Sequence, residues 1–510
     1  MKKTRIVSLF LALALSAGVL TGCAGKTTSS NAPTPSNTGS DATSTAPAEK
    51  VQLKWARDGK TKANEKAVFE AINKYIGEKI GVEVTYVRYE TDYTSKLAME
   101  IASGNSIDMA WLPSWNGQAS LIEQNAVLDI TDMLKDYPDL YNSMAEKVWK
   151  ASEYNGRRYL IPNLKEIFYG YSLATPKEFA DKVKEVNGFD FAAVEFDKNA
   201  SEVENYKKLE KYMEGLKQIG VEYPAGSNLQ VYGAMGLAPT HYEQVVNDLY
   251  GVDTKTNKVF NAIDTDEYEA FCRLMNDWNQ KGYIPEEAAN PDWNGDTAAK
   301  EGKVGLYHWS TTPDNQKNCS TRMNREMLVA EITDNYVASS SVLGSCYAIS
   351  AKTKNADACL KFFQLLETDK TLADLYCYGI EGEDYTRISD DVVEPKEDAG
   401  WSSDVWCSVN VLTPSIKNSE SADKKEQYRS MNDAAVEGKT LGFSPDLSAL
   451  ATETTALANV NTQYKSLLER GFYDPDTYLP EYRQALKDAQ IDKVVAEIQK
   501  QYDEWLKTKK

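Results

Sequence analysis

Residues 51–111 read VQLKWARDGKTKANEKAVFEAINKYIGEKIGVEVTYVRYETDYTSKLAMEIASGNSIDMAW, and this stretch decides the fold. The alternation over 51–55, the pattern of 82–89 and the apolar run 107–111 each indicate a β-strand. Between them, 63–80 carries apolar residues at helical spacing, and 93–103 follows the capping residue Asp92 as a second helix. This strand–helix order predicts an α/β protein with a parallel or mixed sheet covered by helices on both faces.

The predicted strand ends carry side chains suited to a polar ligand. Ligands of such sheets bind beyond the carboxyl ends of the strands. Arg57 and Asp58 follow the first strand, and Trp115 and Asn116 follow the third. An indole can stack on an apolar face of a ligand, and charged or amide groups can bond its polar groups. The alternative is structural, since a Trp can belong to the core and Asp58 can cap backbone.

Later loops repeat the mixture of aromatic and polar residues. The chain has 30 Tyr and 10 Trp against 13 Phe, an excess of rings that combine an apolar body with a polar edge. Trp309 follows the strand-like stretch 302–308, and Glu381 and Tyr385 lie in a Gly-rich loop. Trp401 and Trp406 flank a Ser-Ser-Asp turn. We predict that these residues join the ligand site, although Glu381 could equally cap its own turn.

Composition excludes several function classes. The 510 residues correspond to roughly two to four domains, and the net charge of −19 argues against nucleic-acid binding. With His241 and His308 as the only histidines, zinc hydrolysis and a Ser–His–Asp centre are disfavoured. We expect no enzyme and no cofactor. A glycoside hydrolase remains the main enzymatic alternative, because it requires only two suitably spaced carboxylates.

The first fifty residues predict export and anchoring. Lys2, Lys3 and Arg5 precede an apolar run over 6–19, which is shorter than a membrane span. Leu20-Thr21-Gly22-Cys23 is typical of a bacterial lipobox, so we expect a signal peptide at 1–22 and acylation of Cys23. The alternative is a plain secretory signal. Residues 23–50, rich in Ser, Thr and Pro, predict a flexible tether on the outer face of the cell membrane.

The cysteines and the acidic segment 290–301 are the candidate metal sites of the sequence. The six cysteines beyond Cys23 show no metal-type spacing, and we expect them to be mostly free thiols. The string 290–301 has EF-hand spacing, but it begins with Asn290 where that motif prefers Asp. A solvated turn is therefore favoured over bound calcium, and we predict no metal.

Several motifs, in order along the chain, resemble one protein family. They are Asp92-Tyr93-x-x-Lys96-Leu97, IASGNSIDM over 101–109, GKVGL over 302–306, YGIEGEDY over 378–385 and IDKV over 491–494. Together they resemble the extracellular solute-binding proteins of ABC importers (family 1), above all the large oligosaccharide-binding lipoproteins of Gram-positive bacteria. The block 170–244 departs from many relatives, because it lacks their Asp/Asn/Gly-rich turn.

The resemblance implies a type II periplasmic-binding-protein fold, with two discontinuous α/β lobes and a ligand cleft at a hinge. We assign 51–165 plus 340–410 to the first lobe and 166–339 plus 411–510 to the second. It further implies a monomer that closes on an oligosaccharide and delivers it to ABC permease subunits. The alternatives are a binder of peptide or another polar solute, and a sensor lipoprotein on the same fold.

Overall fold

The computed structural model describes residues 49–103, 107–226, 229, 236–290, 293 and 295–509. The described residues from Glu49 onward form a single compact unit. The predicted signal peptide, Cys23 and nearly all of the tether lie outside the described residues. Within them, no helix combines the length and apolar character that a membrane crossing requires.

The strands are short and distributed along the whole described chain. They are β1 (Val51–Asp58), β2 (Val82–Tyr89), β3 (Met109–Trp111), β4 (Glu153–Tyr154), β5 (Arg157–Arg158), β6 (Leu160–Pro162), β7 (Tyr171–Pro176), β8 (Tyr223–Ala225), β9 (Tyr242–Gln244), β10 (Tyr250–Asp253), β11 (Lys258–Asn261), β12 (Val304–Ser310), β13 (Met327–Glu331), β14 (Tyr336–Val337), β15 (Cys346–Ile349), β16 (Tyr385–Ser389), β17 (Val392–Pro395), β18 (Ile416–Lys417) and β19 (Val436–Glu437).

The helices lie between the strands and dominate the C-terminal part. They are α1 (Glu65–Ile80), α2 (Tyr93–Ser103), α3 (Gln118–Glu123), α4 (Pro138–Asn142), α5 (Glu146–Ala151), α6 (Lys177–Asn187), α7 (Glu202–Lys207), α8 (Glu210–Gln218), α9 (Asp266–Gln280), α10 (Gly295–Lys300), α11 (Asn315–Met323), α12 (Ser339–Leu343), α13 (Ala356–Thr368), α14 (Lys370–Tyr378), α15 (Lys424–Ala434), α16 (Ala451–Glu469), α17 (Pro475–Asp488) and α18 (Ile491–Thr508).

The first sheet has the order β2-β1-β3-β15-β6, with β1 parallel to β2 and to β3. The opening β-α-β-α-β prediction is therefore confirmed. Trp55 lies fully buried on β1, with the rings of Tyr86, Tyr347 and Phe362 at 5.1, 5.4 and 5.3 Å. These edge-to-face contacts tie the sheet to α13 and form the centre of one hydrophobic core. We call this core and its sheet the first lobe.

A second sheet, β13-β7-β12-β8, has its own core. Every residue of β7 is buried, as expected for a strand paired on both sides. The α9, α16, α17 and α18 helices pack here through apolar stripes that include Trp278, Tyr482 and Tyr502, each fully buried. We call this core and its sheet the second lobe. Two α/β lobes from interleaved segments confirm the predicted fold class.

The chain passes between the lobes in three neighbouring segments. Tyr169 forms a β-bridge with Tyr336, and β14 pairs in parallel with β19. The Gly438 amide donates to the Val337 carbonyl at 2.9 Å, which extends this pairing by one residue. Backbone hydrogen bonds thus hold the crossings together, the arrangement that a hinge between two rigid bodies needs.

The cores divide later than the predicted boundary at 410/411. Ala435 and Leu441 belong to the first core, whereas Phe443 belongs to the second. The reason is local pairing: β18 lies beside β17, and the Val411 amide donates to the Leu164 carbonyl at 2.9 Å. Segment 411–435 therefore packs on the first lobe, and the chain leaves that lobe through the crossing segment that contains β19, between Ala435 and Phe443.

The six cysteines of the folded part are all free and buried. Their free state confirms the expectation of mostly free thiols, and Cys272, Cys359 and Cys377 lie on α9, α13 and α14. Burial raises the pKa of each of these three thiols. They contribute packing rather than cross-links.

Candidate functional site

The carboxyl ends of β1 and β3 meet at one edge of the first sheet. Tyr93, on α2, ties these ends together, because its hydroxyl lies 3.2 Å from the Ala56 carbonyl oxygen and 2.6 Å from that of Trp111. The hydroxyl is buried, and burial raises its pKa. A rigid backbone edge results, from which the predicted site residues project.

Arg57 and Trp111 form the floor of this edge. The guanidinium carbon lies 4.7 Å from the centroid of the Trp111 ring, a cation–π contact. Arg57 also donates to the Cys407 carbonyl at 2.9 Å and to the Tyr376 hydroxyl at 3.2 Å. No carboxylate pairs with Arg57 among the described residues. Its contacts join β1 to the 405–407 turn, so this buried cation fixes the relative position of two loops.

Two exposed indoles belong to the segments that contact Arg57 and Trp111. Trp115 is 60% exposed, and its ring meets Trp111 edge-on at 5.9 Å. Trp406 is 39% exposed and directly precedes Cys407, which holds Arg57. Large apolar side chains are costly to leave in water. Trp115, in contact with Trp111, and Trp406, next in sequence to the Arg57 partner Cys407, each leave an apolar ring face that a ligand could cover.

Polar groups lie beside the indoles. Asp58 is partly buried, its backbone carbonyl accepts from Arg88 at 2.9 Å, and no described residue hydrogen-bonds its carboxylate. Asn116 is also partly buried, and its side-chain oxygen accepts from the Thr94 hydroxyl at 3.2 Å. The Asn116 amide nitrogen and the Asp58 oxygens are thus available to hydroxyl groups of a ligand.

Trp309 belongs to the second lobe, at the end of β12. It is half-buried, and its indole nitrogen donates to Asn315 at 2.8 Å. Asp314, just before α11, exchanges two hydrogen bonds with Gln427: its amide donates to Oε1 at 2.6 Å, and Gln427 Nε2 donates back at 3.0 Å. Because Gln427 is on α15, the Trp309 loop is tied to the segment that packs on the first lobe.

Three predicted ligand contacts are buried in the first lobe. Trp401 is 1% exposed and lies among the rings of Phe69, Tyr86 and Tyr376, at 5.7–6.3 Å. Tyr385 is 4% exposed, and its hydroxyl accepts from a guanidinium. Arg57 is 6% exposed. In this structure none of the three offers a free face, and the sequence pattern did not distinguish these packed side chains from the exposed ones.

The Gly-rich loop around Glu381 is organised by a different carboxylate. Asp384 is 1% exposed and accepts from the Ile380 amide at 2.9 Å and the Trp401 amide at 3.0 Å. Glu381 itself is exposed and pairs with Arg387 at 3.0 Å. Capping of the turn, which was the alternative for Glu381, is therefore performed by Asp384 three residues later.

A chain of buried hydrogen bonds runs beneath the floor. The Trp111 indole nitrogen donates to Ser345 at 3.2 Å, the Ser345 hydroxyl donates to Asn163 at 2.7 Å, and Asn163 donates to Glu367 at 3.0 Å. The Asn410 amide donates to the second Glu367 oxygen at 2.6 Å. Burial raises the pKa of Glu367 to about 8, against the opposing effect of these two donors. The network links the site floor to α13 and to the segment around Asn410.

Features suited to catalysis or metal binding are sparse. Burial lowers the pKa of His308 to about 3, so its imidazole is neutral at physiological pH. Among the described residues, no group of three His, Cys, Asp or Glu could hold a metal ion. Asp296 and Glu301 of the calcium-like string pair with Arg322 at 2.9 Å and Lys303 at 3.0 Å. Other positions of that string lie outside the described residues, and the calcium question stays a prediction.

The rule that ligands bind at strand ends did not identify Trp111 and Cys407, which both contact Arg57. The available signal was the spacing of Trp111 and Trp115, because a ring at the end of a strand can support another four residues later. Cys407 gave no signal, since its role depends on a contact with Arg57 made 350 residues along the chain.

The chain resembles known proteins in sequence and in fold. A family model described as "Domain of unknown function (DUF3502)" matches residues 439–507. A "Carbohydrate ABC transporter substrate-binding protein" of Streptococcus pneumoniae serotype 4 (strain ATCC BAA-334 / TIGR4) is 26% identical over 498 residues. The match covers 91% of this chain and 92% of that relative.

Solved structures with the same fold include the N-glycan transport solute binding protein NgtS from Streptococcus pneumoniae. It is 23% identical, with a TM-score of 0.77, and the match covers 90% of this chain and 100% of NgtS. Its complexes with Man1GlcNAc and Man5GlcNAc give TM-scores of 0.70 and 0.68, at 22% and 23% identity and the same coverage. The chain is thus a homologue of a carbohydrate ABC transporter substrate-binding protein and has the fold of the solute-binding proteins.

Proposed function

We propose that the chain is the substrate-binding subunit of an ABC importer and that it captures an oligosaccharide between its lobes. The observation that carries the proposal is the pair of exposed indoles, Trp115 and Trp406, beside the buried Arg57–Trp111 floor. The relatives support it, because those with named ligands are carbohydrate-binding components of transport systems.

Each site residue has a defined part in the proposed binding. Trp115 and Trp406 stack on the apolar faces of sugar rings, while Asp58 and Asn116 bond equatorial hydroxyls. Trp309 contributes from the second lobe. When the lobes close, water leaves the cleft and the hydrogen bonds to the sugar strengthen. Ligand binding therefore shifts the protein toward the closed form, which the permease subunits recognise.

The buried residues support the site rather than contact the sugar. Arg57 holds Trp111 and the Cys407 turn in register, and Trp401 and Tyr385 stabilise the lobe behind them. Glu381 lies on the surface with Arg387, and we leave it outside the proposed contact set. We propose no catalytic residue. The protein would bind and release its ligand unchanged, with transport energy supplied by a separate ATPase.

The proposed location is the outer face of a bacterial cell membrane. It rests on the lipobox at Leu20-Thr21-Gly22-Cys23 and on the nature of the relatives. Acyl chains on Cys23 would anchor a monomer through the tether at 23–50. Labelling with radioactive palmitate, lost in a Cys23→Ala variant, tests this part separately.

Isothermal titration calorimetry with a glycan panel that includes Man1GlcNAc and Man5GlcNAc tests the function. We expect saturable one-to-one binding of at least one oligosaccharide, and no change in the glycan when it is recovered. Release of shorter sugars would instead identify a glycoside hydrolase. Binding of peptides with no response to any glycan would contradict the sugar proposal. Neighbouring genes for a histidine kinase without permease subunits would favour the sensor alternative.

A further inference from the structure

A groove runs between the lobes from a point near Trp115. Its first part is a cavity of about 220 Å³ whose wall includes Ser114 and Leu343. Ser114 directly precedes Trp115, and Leu343 precedes Gly344, where an added Cβ would lie 3.6 Å from the Trp115 ring. The cavity is therefore bordered by residues that adjoin the exposed indole of the site described above.

A second cavity of about 550 Å³ extends the groove. The two cavities share Tyr154 from the first lobe and Ser444 and Pro445 from the second. Most of the other lining groups are uncharged donors and acceptors, carried by Ser, Asn, Gln and Tyr: Ser120, Gln124, Asn125, Asn155, Tyr159 and Ser448. Such neutral hydroxyl and amide groups match a ligand whose surface consists mainly of hydroxyls.

The charges on the two walls of the groove also favour an uncharged ligand. Glu123 lies on the first-lobe wall and Asp446 on the second-lobe wall. Burial, and then the Asp446 carboxylate, raise the pKa of Glu123. Two carboxylates that face each other repel, and hydroxyl donors placed between them would relieve that repulsion. An uncharged polyhydroxyl ligand is therefore favoured over an anionic one.

Backbone strain marks the second-lobe wall of the first cavity. Val246 has a φ of +63° and is 52% exposed, an unfavourable combination for a β-branched apolar residue. The turn is held by the Asn247 amide, which donates to the Val245 carbonyl at 2.7 Å. Strain of this kind concentrates at ligand clamps. Here it presents an isopropyl group to the groove opposite Ser114 and Ala119.

We propose that this groove is an extended subsite that binds the outer sugars of a long or branched oligosaccharide whose inner sugars stack at Trp115. The inference rests on the proposed oligosaccharide-binding function and adds a site for chain length and branching. One wall, residues 444–451, belongs to the segment matched by the domain of unknown function, and the proposal gives that part of the domain a role. Because the walls come from both lobes, occupancy of the groove would also favour closure.

The test blocks the groove from each side. Ser120→Trp on α3 and Ala451→Trp on α16 fill the second cavity from opposite walls, and both residues are exposed. Thr462→Trp, exposed on α16 and absent from both linings, is the matched control. Calorimetry with Man1GlcNAc and Man5GlcNAc is the readout, and the thermal midpoint of each variant confirms folding.

We expect each blocking variant to weaken Man5GlcNAc binding by about tenfold or more, with Man1GlcNAc affinity changed less than about twofold. Thr462→Trp should leave both unchanged. If both folded blocking variants bind Man5GlcNAc as the wild type does, or lose the two glycans equally, the groove is not a subsite. A wild type that binds neither glycan nor any other panel member would instead overturn the proposed function, and this inference with it.

Discussion

Trp115 and Trp401 belong to the same lobe and were predicted from the same kind of loop, yet the structure treats them oppositely. Trp401 is enclosed by aromatic rings and donates to the Tyr376 carbonyl at 2.9 Å. Trp115 rests one edge on Trp111 and leaves 60% of its surface in water. The difference shows that a loop tryptophan indicates a ligand site only when the core beneath it is packed without its ring. The Trp401 ring stabilises the lobe, and the Trp115 ring remains available for binding.

The largest expected effect is the loss of stability when the buried Trp401 ring is removed. Trp401→Ala should lower the free energy of unfolding by about 3–5 kcal/mol, because it removes a buried ring and leaves a cavity. Urea unfolding followed by circular dichroism measures it. Met99→Ala, at a side chain 63% exposed on α2, is the control and should change stability by less than about 0.5 kcal/mol. A similarly small loss for Trp401→Ala would show that its pocket is not part of the core.

The next effect concerns the buried network below Trp111. Since the pKa of Glu367 is raised to about 8, the folded state keeps a proton that the unfolded chain loses near its ordinary value. Stability should therefore fall as the pH rises from 5.5 to 8, by on the order of 2–3 kcal/mol from this group.

Glu367→Gln removes that titration. We expect the stability of the variant, measured by urea unfolding at several pH values, to be flatter than that of the wild type over this range. Glu381→Gln, at a surface carboxylate, serves as the control and should keep the wild-type slope. Parallel wild-type and Glu367→Gln profiles would show that Glu367 is ionised throughout.

A smaller effect is expected on ligand affinity when Asp58, near Trp115, is changed. Asp58→Asn should weaken oligosaccharide affinity by about tenfold, because a hydrogen bond to a charged acceptor contributes about 1.5–3 kcal/mol. Calorimetry at constant pH measures the change. Glu78→Gln, exposed on α1 away from the strand ends, should bind as the wild type does. Equal affinities for Asp58→Asn and wild type would remove Asp58 from the site.

The smallest effect concerns the opposite wall. Val246→Gly should stabilise the protein by about 1 kcal/mol, because glycine has no Cβ and adopts this positive φ without the strain of a β-branched residue. The matched control is Val186→Gly, at an exposed position at the right-handed end of α6, which should not stabilise. A shift in the thermal midpoint measures both. Destabilisation by Val246→Gly would mean that the isopropyl group makes contacts that outweigh the strain.

The opening strands and helices could be predicted because their periodicity is local. Helix α2 begins and ends at the residues that the sequence indicated, Tyr93 and Ser103. The edge formed by Asp58 and Trp115 followed from the rule for parallel strand ends. The boundary between Ala435 and Phe443 did not follow, because β18 joins the first lobe through pairing with a strand more than twenty residues earlier.

Burial within loops was the other limit of the sequence. Tyr385 and Trp401 carry the same residue types as the exposed site, and only the packing of Phe69, Tyr86 and Tyr376 around Trp401 reveals its place in the core. Likewise, Arg57 was predicted to follow the first strand but lies within β1, one residue before its end, and its contacts with Cys407 depend on a turn distant in sequence. Long-range contacts decide these roles, and a single sequence does not display them.

The central claim is that the exposed edge at Trp115 binds the oligosaccharide while the buried ring of Trp401 does not. The most direct measurement is a calorimetric titration of wild type and Trp115→Ala with the tightest-binding glycan of the panel, with unfolding curves recorded in parallel. We predict a loss of affinity of about 10–100-fold, with a free energy of unfolding within about 0.5 kcal/mol of wild type. A folded Trp115→Ala protein that binds the glycan with wild-type affinity would contradict the account.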